Sequence, residues 1–318
     1  MTTAFIFPGQ GSQAVGMGKA LADAFPAARA VFDEVDAALG ESLTRIMWEG
    51  PADTLTLTAN AQPALMAVSL AALRVLEAEA GLDLARDVTF VAGHSLGEYS
   101  ALAAASSLSI TDAARLLRIR GRAMQDAVPV GAGAMAALLG LDYDQVVEVA
   151  AEAAGADVCE AANDNANGQV VVSGSTAAVE RAMEIAKARG ASRAILLPVS
   201  APFHCRLMAP AATAMEQALA QATVLAPRVP LISNVRAAPA TDPKDIIRLL
   251  VEQVTGTVRW RESVLYMHGA GITRTVEVGA GKVLSGLVRR IAKDIAVSAV
   301  GTPEDVTSFI AARASATA

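Results

Sequence analysis

The sequence predicts an α/β fold in which a mostly parallel sheet, covered by helices on both faces, is interrupted by a small inserted unit. Short apolar runs alternate with helical patterns along most of the 318 residues, the order that builds parallel sheets. One strand-to-helix junction carries G-x-S-x-G, Gly93-His94-Ser95-Leu96-Gly97. Between two proline-containing breaks, residues 130–197 have their own β-α-β-β-α-β order, the ferredoxin-like unit. Residues 1–129 and 198–318 then form the larger domain.

Ala4-Phe5-Ile6-Phe7 is the first strand, and Pro8-Gly9-Gln10-Gly11-Ser12-Gln13 ends it in a glycine-rich loop. Residues 18–39 are helical by composition. No G-K-[ST] follows that loop and no acid stands in a ribose-binding context, so nucleotide binding is discarded. Gly279-Ala280-Gly281-Lys282 fails the same test at Val283. Residues 63–78 form a helix with Leu65, Val68, Ala72 and Val75 at apolar positions. Residues 88–92 form a buried strand leading into the G-x-S-x-G turn, and a helix begins at Glu98. Thr111 caps a helix running to about Ala127.

In the inserted unit, strands are predicted at 134–139, 157–162, 169–173 and 193–197. Helices fall at 142–154 and 176–189, with a turn at 163–168. The larger domain resumes with helices at 210–221, 242–254 and 283–291 and strands at 229–233, 275–278 and 296–300. Residues 311–318 are expected to form a frayed tail of small residues.

Composition narrows the function classes. Net charge is -6 with no basic block, which argues against nucleic acid. Two cysteines, Cys159 and Cys205, form neither a disulfide framework nor a metal-ligand spacing, as expected in a reducing cytoplasm. The three histidines show no H-x-x-x-H pattern, so no metal site is expected. No basic residue precedes Lys19, so no signal peptide is expected. The apolar stretch at 63–73 meets Arg74 short of a membrane span.

In a strand–turn–helix context, G-x-S-x-G is a nucleophile elbow. Its serine stands at a helix N-terminus, where free N–H groups favour negative charge. The same pentapeptide also fits an ordinary glycine-bounded turn, so its partners decide. A serine needs a base, and histidine titrates in the right range, with an unperturbed pKa of about 6.5. His94 adjoins Ser95 and reads as local packing or a hydrogen-bonding support. His268 reads as a helix C-terminal residue. His204, in Ser200-Ala201-Pro202-Phe203-His204, lies where the chain re-enters the main domain and is the candidate base. No acid stands out as a third triad member. A free carbonyl at the C-terminal end of the 242–254 helix, that of Gln253, is another device for orienting the ring.

At roughly 100° per residue, Ala113, Leu116, Leu117 and Met124 form one helical stripe, with Arg120 in its middle. Arg115, Arg118 and Arg122 fall on the opposite face, expected to be solvated. An inward arginine must be paired. Either Asp or Glu pairs it internally, or it is a bidentate seat for a substrate carboxylate.

Together, Phe7-Pro8-Gly9-Gln10-Gly11-Ser12-Gln13, Gly93-His94-Ser95-Leu96-Gly97-Glu98, Arg120-Gly121, Gly133-Ala134-Met135-Ala136-Ala137 and Phe203-His204 resemble the malonyl-CoA:acyl carrier protein transacylases of type II fatty acid synthesis. The resemblance runs from the first strand to about Gly286. It implies an α/β-hydrolase-like core with a ferredoxin-like insertion, Ser95 as the acylated nucleophile and His204 as its base. It implies Arg120 as the seat of the malonyl carboxylate, the Gln10 and Leu96 backbone N–H groups as the oxyanion hole, and the Gln253 carbonyl as the histidine's support. Phe203 resembles the residue of malonyl-selective members. Malonyl-CoA is then a substrate, no cofactor is needed, and the partner is an acyl carrier protein. A cytoplasmic monomer is expected. Carrier proteins are usually acidic, and Lys187, Arg189 and Arg193 are either a docking patch or ordinary surface charge. A serine hydrolase, a non-catalytic carrier-binding subunit, and the same chemistry in malonate decarboxylase or polyketide systems are the competing readings.

Overall fold

The computed structural model describes residues 2–317, with side chains described through residue 314. Its strands are β1 Thr3–Phe7, β2 Phe90–Gly93, β3 Gly133–Leu139, β4 Cys159–Ala166, β5 Gln169–Ser175, β6 Arg193–Leu196, β7 Leu231–Ile232, β8 Pro239–Ala240, β9 Arg274–Val278 and β10 Ala296–Val300. The six-stranded sheet has the order β10-β9-β1-β2-β7-β8. Every pairing in it is parallel except β7 with β8. The mixed α/β class and the mostly parallel main sheet are as predicted. Ala4, Phe5, Ile6 and Phe7 are all buried, as a central strand covered on both faces requires.

β1 and β2 run in register to Phe7 opposite Gly93. The loop after β1 and the turn after β2 therefore leave the sheet side by side at its C-terminal edge, where open parallel sheets bind ligands. Gly97 sets how closely they approach, because a Cβ there would lie 2.3 Å from the Phe7 carbonyl oxygen.

The second sheet is antiparallel, ordered β4-β5-β3-β6. With the Tyr143–Ala154 and Thr176–Ala188 helices it completes the ferredoxin-like order within 130–197. Val146, Val149, Val170, Val172 and Val179 lie in its own buried cluster, separate from the main core. β4 runs to Ala166, through the stretch predicted as a turn. Irregular pairing between Ala161 and Asn163 and between Asp164 and Ala166 breaks the alternation by which the strand would be recognised.

Several boundaries also differ from expectation. The helix predicted at 63–78 spans Thr58–Ala80 and contains Pro63. Proline has no N–H for the carbonyl four residues back, which would leave Ala59 O unpaired. Arg118 Nη1 fills that vacancy at 2.7 Å. This helix is long and apolar enough to cross a membrane, but 83% of its apolar window is buried inside the fold. The next long helix is Ile110–Asp126, capped by Ser109 rather than Thr111. Ser109 Oγ accepts the Asp112 N–H, while Thr111 Oγ1 donates to Glu34. Gly121 lets the two helices meet, since a Cβ there would lie 2.6 Å from Ala59 Cα. Residues 311–317, expected to fray, continue the Pro303–Thr317 helix; Ala318 lies outside the described residues.

Candidate active site

Ser95 sits between β2 and the Gly97–Ala104 helix with φ 51°, and His204 has φ 59°. They are two of only four described non-glycine residues with positive φ. Such a conformation costs about 1–3 kcal/mol and persists only where the surroundings over-determine it. At Ser95 the surroundings are visible. Its N–H donates to Asn234 Oδ1 at 2.7 Å, and its carbonyl accepts from Gln253 Nε2 at 3.0 Å. Asn234 is itself fixed, since its Nδ2 donates to Gly93 O at 2.6 Å.

The buried His204 ring lies 2.8 Å from Ser95 Oγ through Nε2 and 2.9 Å from the Gln253 carbonyl through Nδ1. A carbonyl only accepts, so Nδ1 carries the proton and Nε2 is free to accept from the serine hydroxyl. Burial, and then the positive charge of Arg120, push the imidazole pKa down to about 3. The ring is thus a neutral acceptor across the physiological range.

Arg120 is 1% exposed. Nη1 donates to Gln62 Oε1 at 2.7 Å, and Nη2 donates to Gln253 Oε1 at 2.8 Å and to Ser95 Oγ at 3.1 Å. Nε has no partner. The guanidinium also stands 5.8 Å from the Tyr99 ring centroid. Of the two sequence readings, a paired internal salt bridge is absent among the described residues, because its hydrogen-bond acceptors are neutral. Burial pushes its pKa down, and an anion arriving beside it would be held strongly.

Ser95, His204, Arg120, Gln10, Leu96 and Phe203 all line one cavity of about 560 Å³. The Gln10 and Leu96 backbone N–H groups have no partner among the hydrogen bonds of the described residues. Gln253 stands beneath this cavity, on the Pro243–Thr255 helix. The structure therefore brings every site residue named from the sequence to one place. His94 is a support, bonded through Nε2 to Asn165 Oδ1 at 2.8 Å and tilted against Trp260. His268 is exposed in the last turn of Trp260–Gly269. Among the described residues, no cluster of three or more His, Cys, Asp or Glu could hold a metal ion.

Sequence reading missed Gln62, Glu98, Asn234 and the Gln253 side chain. Glu98 was visible as the lone acid in the first turn of a mostly apolar helix. The amides carry no such signal, because a buried Asn or Gln has no spacing of its own.

Comparison with known proteins gives the class. Residues 4–310 match the family described as acyl transferase domain, and the chain belongs to it. Within that family it is similar to malonyl CoA-acyl carrier protein transacylases. It is 46% identical over 304 residues to the one from Bacillus subtilis (strain 168), covering 95% of this chain and 94% of that one. The solved acyl-carrier-protein S-malonyltransferase from Bartonella henselae is 58% identical with a TM-score of 0.96, covering 99% of this chain and all (100%) of that one. A solved malonyl-transacylase in complex with its type II polyketide acyl-carrier protein is 38% identical with a TM-score of 0.94, over 98% and 100% of the two chains.

Proposed function

We propose that the protein transfers the malonyl group from malonyl-CoA to the phosphopantetheine thiol of an acyl carrier protein through a malonyl ester on Ser95, supplying fatty acid biosynthesis. The observation that carries this reading is the placement of Ser95 Oγ between His204 Nε2 and the buried Arg120. His204 takes the serine proton as Oγ attacks the thioester carbon. The Gln10 and Leu96 N–H groups hold the oxyanion as charge develops. The carbon–sulfur bond breaks, and His204 returns its proton to the departing CoA thiolate. Arg120 holds the free carboxylate of the acyl group. His204 then deprotonates the carrier thiol, which attacks the ester and frees the serine, so the kinetics are ping-pong. The Gln253 carbonyl keeps Nδ1–H in place and stabilises the imidazolium, as the acid of a triad does.

Phe203, 8% exposed beside His204, limits the room for an α-methyl group. No cofactor takes part. In this reading residues 1–129 and 198–318 are the catalytic domain and 130–197 the inserted one, and the protein works as a cytoplasmic monomer away from nucleic acid and membranes. Intact-mass measurement after treatment with malonyl-CoA tests the chemistry. One malonyl adduct on Ser95, discharged by holo-carrier protein and absent in Ser95→Ala, is expected. An adduct on Cys159 or Cys205, or steady CoA release with no thiol acceptor, defeats the reading.

A further inference from the structure

Among the described residues, Glu98 is the one carboxylate in contact with the polar network under Ser95, and the transfer steps do not use it. It is fully buried on the Gly97–Ala104 helix. One carboxyl oxygen accepts the Asn234 backbone N–H at 3.1 Å, and the other accepts from Gln253 Nε2 in a short contact. Gln253 Nε2 also donates to Ser95 O, and its Oε1 accepts from Arg120 Nη2 at 2.8 Å. Gln253 therefore links the acid, the serine backbone and the arginine.

The chemistry of these groups fixes which way that amide points. An ionised carboxylate only accepts, and a guanidinium only donates. An amide between them satisfies both in one orientation alone, with NH2 toward the acid and C=O toward the arginine. We infer that Glu98 is a positioning residue: by accepting from Gln253 Nε2 it sets the polarity of that amide, so that Gln253 Oε1 holds Arg120 at the acyl site. The carboxylate acts on the arginine through the amide and leaves the guanidinium without a direct acidic partner, open to an incoming carboxylate. Ser95 O is the other acceptor on that NH2, so a Glu98 side chain able to donate weakens the amide's hold without removing it; the amide then turns over part of the time, placing two donors against each other at Arg120 and releasing it.

The inference rests on Arg120 as the malonyl seat, and the test separates the two. The readout is the ratio of kcat/KM for malonyl-CoA to that for acetyl-CoA, with holo-carrier protein as acceptor. Glu98→Gln is expected to lower this ratio about tenfold or more, the scale of a hydrogen bond to a charged group. Gln253→Leu keeps the carbonyl that holds His204 and is expected to lower it similarly. The double variant should fall no further than Gln253→Leu alone, because one relay is being cut twice.

A wild-type measurement needs no variant to fold. Burial pushes the Glu98 carboxyl up to about 7, opposed by the Asn234 and Gln253 hydrogen bonds and the charge of Arg120. The charged and titratable groups around it are Arg120, Tyr99 and His204. Arg120 stays charged, Tyr99, pushed up by burial, stays neutral, and His204 acts equally on both acyl groups. The ratio should therefore fall as pH drops through about 7. A selective wild type whose ratio is flat between about pH 6 and 8, or a Glu98→Gln enzyme that slows both acyl groups equally, overturns the Glu98 inference. A wild type indifferent to malonyl and acetyl overturns the Arg120 reading instead.

Discussion

Arg118 and Arg120 stand two residues apart on the Ile110–Asp126 helix, both buried, in surroundings of opposite chemistry. Arg118 is met by the Glu41 carboxylate, by Ala59 O at 2.7 Å and by Asn60 Oδ1 at 2.5 Å. Arg120 is met by two amide oxygens and a hydroxyl. The first arginine repairs a helix that Pro63 would otherwise leave with an open carbonyl, and its charge is balanced where it stands. The second keeps its charge at a cavity with no carboxylate in direct contact. A buried cation with neutral partners still gains much from an arriving anion, whereas one already paired with a carboxylate does not. Burial alone thus fails to separate a structural arginine from a binding one; the partners do.

Removing Arg120 should break the contrast most. Arg120→Ala is expected to lower kcat/KM for malonyl-CoA at least ~100-fold more than for acetyl-CoA, the scale of a lost buried charge pair. Steady-state assays with both thioesters decide it, and equal losses would remove the carboxylate-binding role. Arg118→Ala should do the reverse. It leaves the malonyl-to-acetyl ratio unchanged and costs about 1–3 kcal/mol of folding stability, because the Ala59 carbonyl and Asn60 lose their donor. Urea unfolding measures that cost, and a changed acyl ratio would show that the two arginines are not separate in function.

The pH dependence sharpens the same difference. Wild-type kcat/KM for acetyl-CoA, which does not depend on the Glu98 relay, should hold well below the ordinary histidine range, since burial and Arg120 depress His204 to about 3. Arg120→Ala removes one cause, so the acid limb should move up toward ordinary values, and Arg118→Ala should leave it in place. The same depression links to stability. Between the unfolded pKa of about 6.5 and the folded value, the unfolded chain binds the extra proton. Stability is therefore complete above about 6.5 and declines as pH falls from there toward 3. A pH–rate series on the three proteins is the measurement, and an identical acid limb in all of them would deny Arg120 its effect on the histidine.

Much of this was legible from residues alone, and the misses share a cause. The main strands and the inserted unit could be read because β1, β9, β3 and β5 carry local apolar patterns that burial requires. Arg120 could be read because a cation in an apolar stripe breaks the helical period. Arg118 was read as solvated because a helical wheel sees only its own helix, while Glu41 and the start of the Thr58–Ala80 helix cover that side. The two-residue β8 and the irregular end of β4 are set by neighbours and not by local pattern. Asn234 and Gln62 lie far in sequence from the groups they hold. Ser95, His204 and Arg120 were accessible because each is a reactive or charged group in an unusual local context. The amides that orient them are defined only by their three-dimensional partners.

The smallest effect is expected in the inserted unit, where the comparison extends to a third arginine. Arg189 was a candidate for carrier docking together with Lys187 and Arg193. Its Nη1 and Nη2 meet Glu148 and Glu152 at 2.9 and 2.5 Å, and Lys187 meets Glu184 at 2.7 Å. Like Arg118, Arg189 is balanced by carboxylates; unlike Arg118, it is exposed, where such pairs contribute little. Arg189→Ala should therefore leave both the melting temperature and the KM for holo-carrier protein unchanged. Removing the arginine leaves Glu148 and Glu152 without their cation, so an acidic partner docking nearby would meet a more negative surface. A carrier KM that rises severalfold, with malonyl loading of Ser95 unaffected, would place that partner on this face despite the pairing. An unchanged KM leaves Arg189 as ordinary surface charge, and of the three arginines only Arg120 would then hold charge in reserve for a ligand.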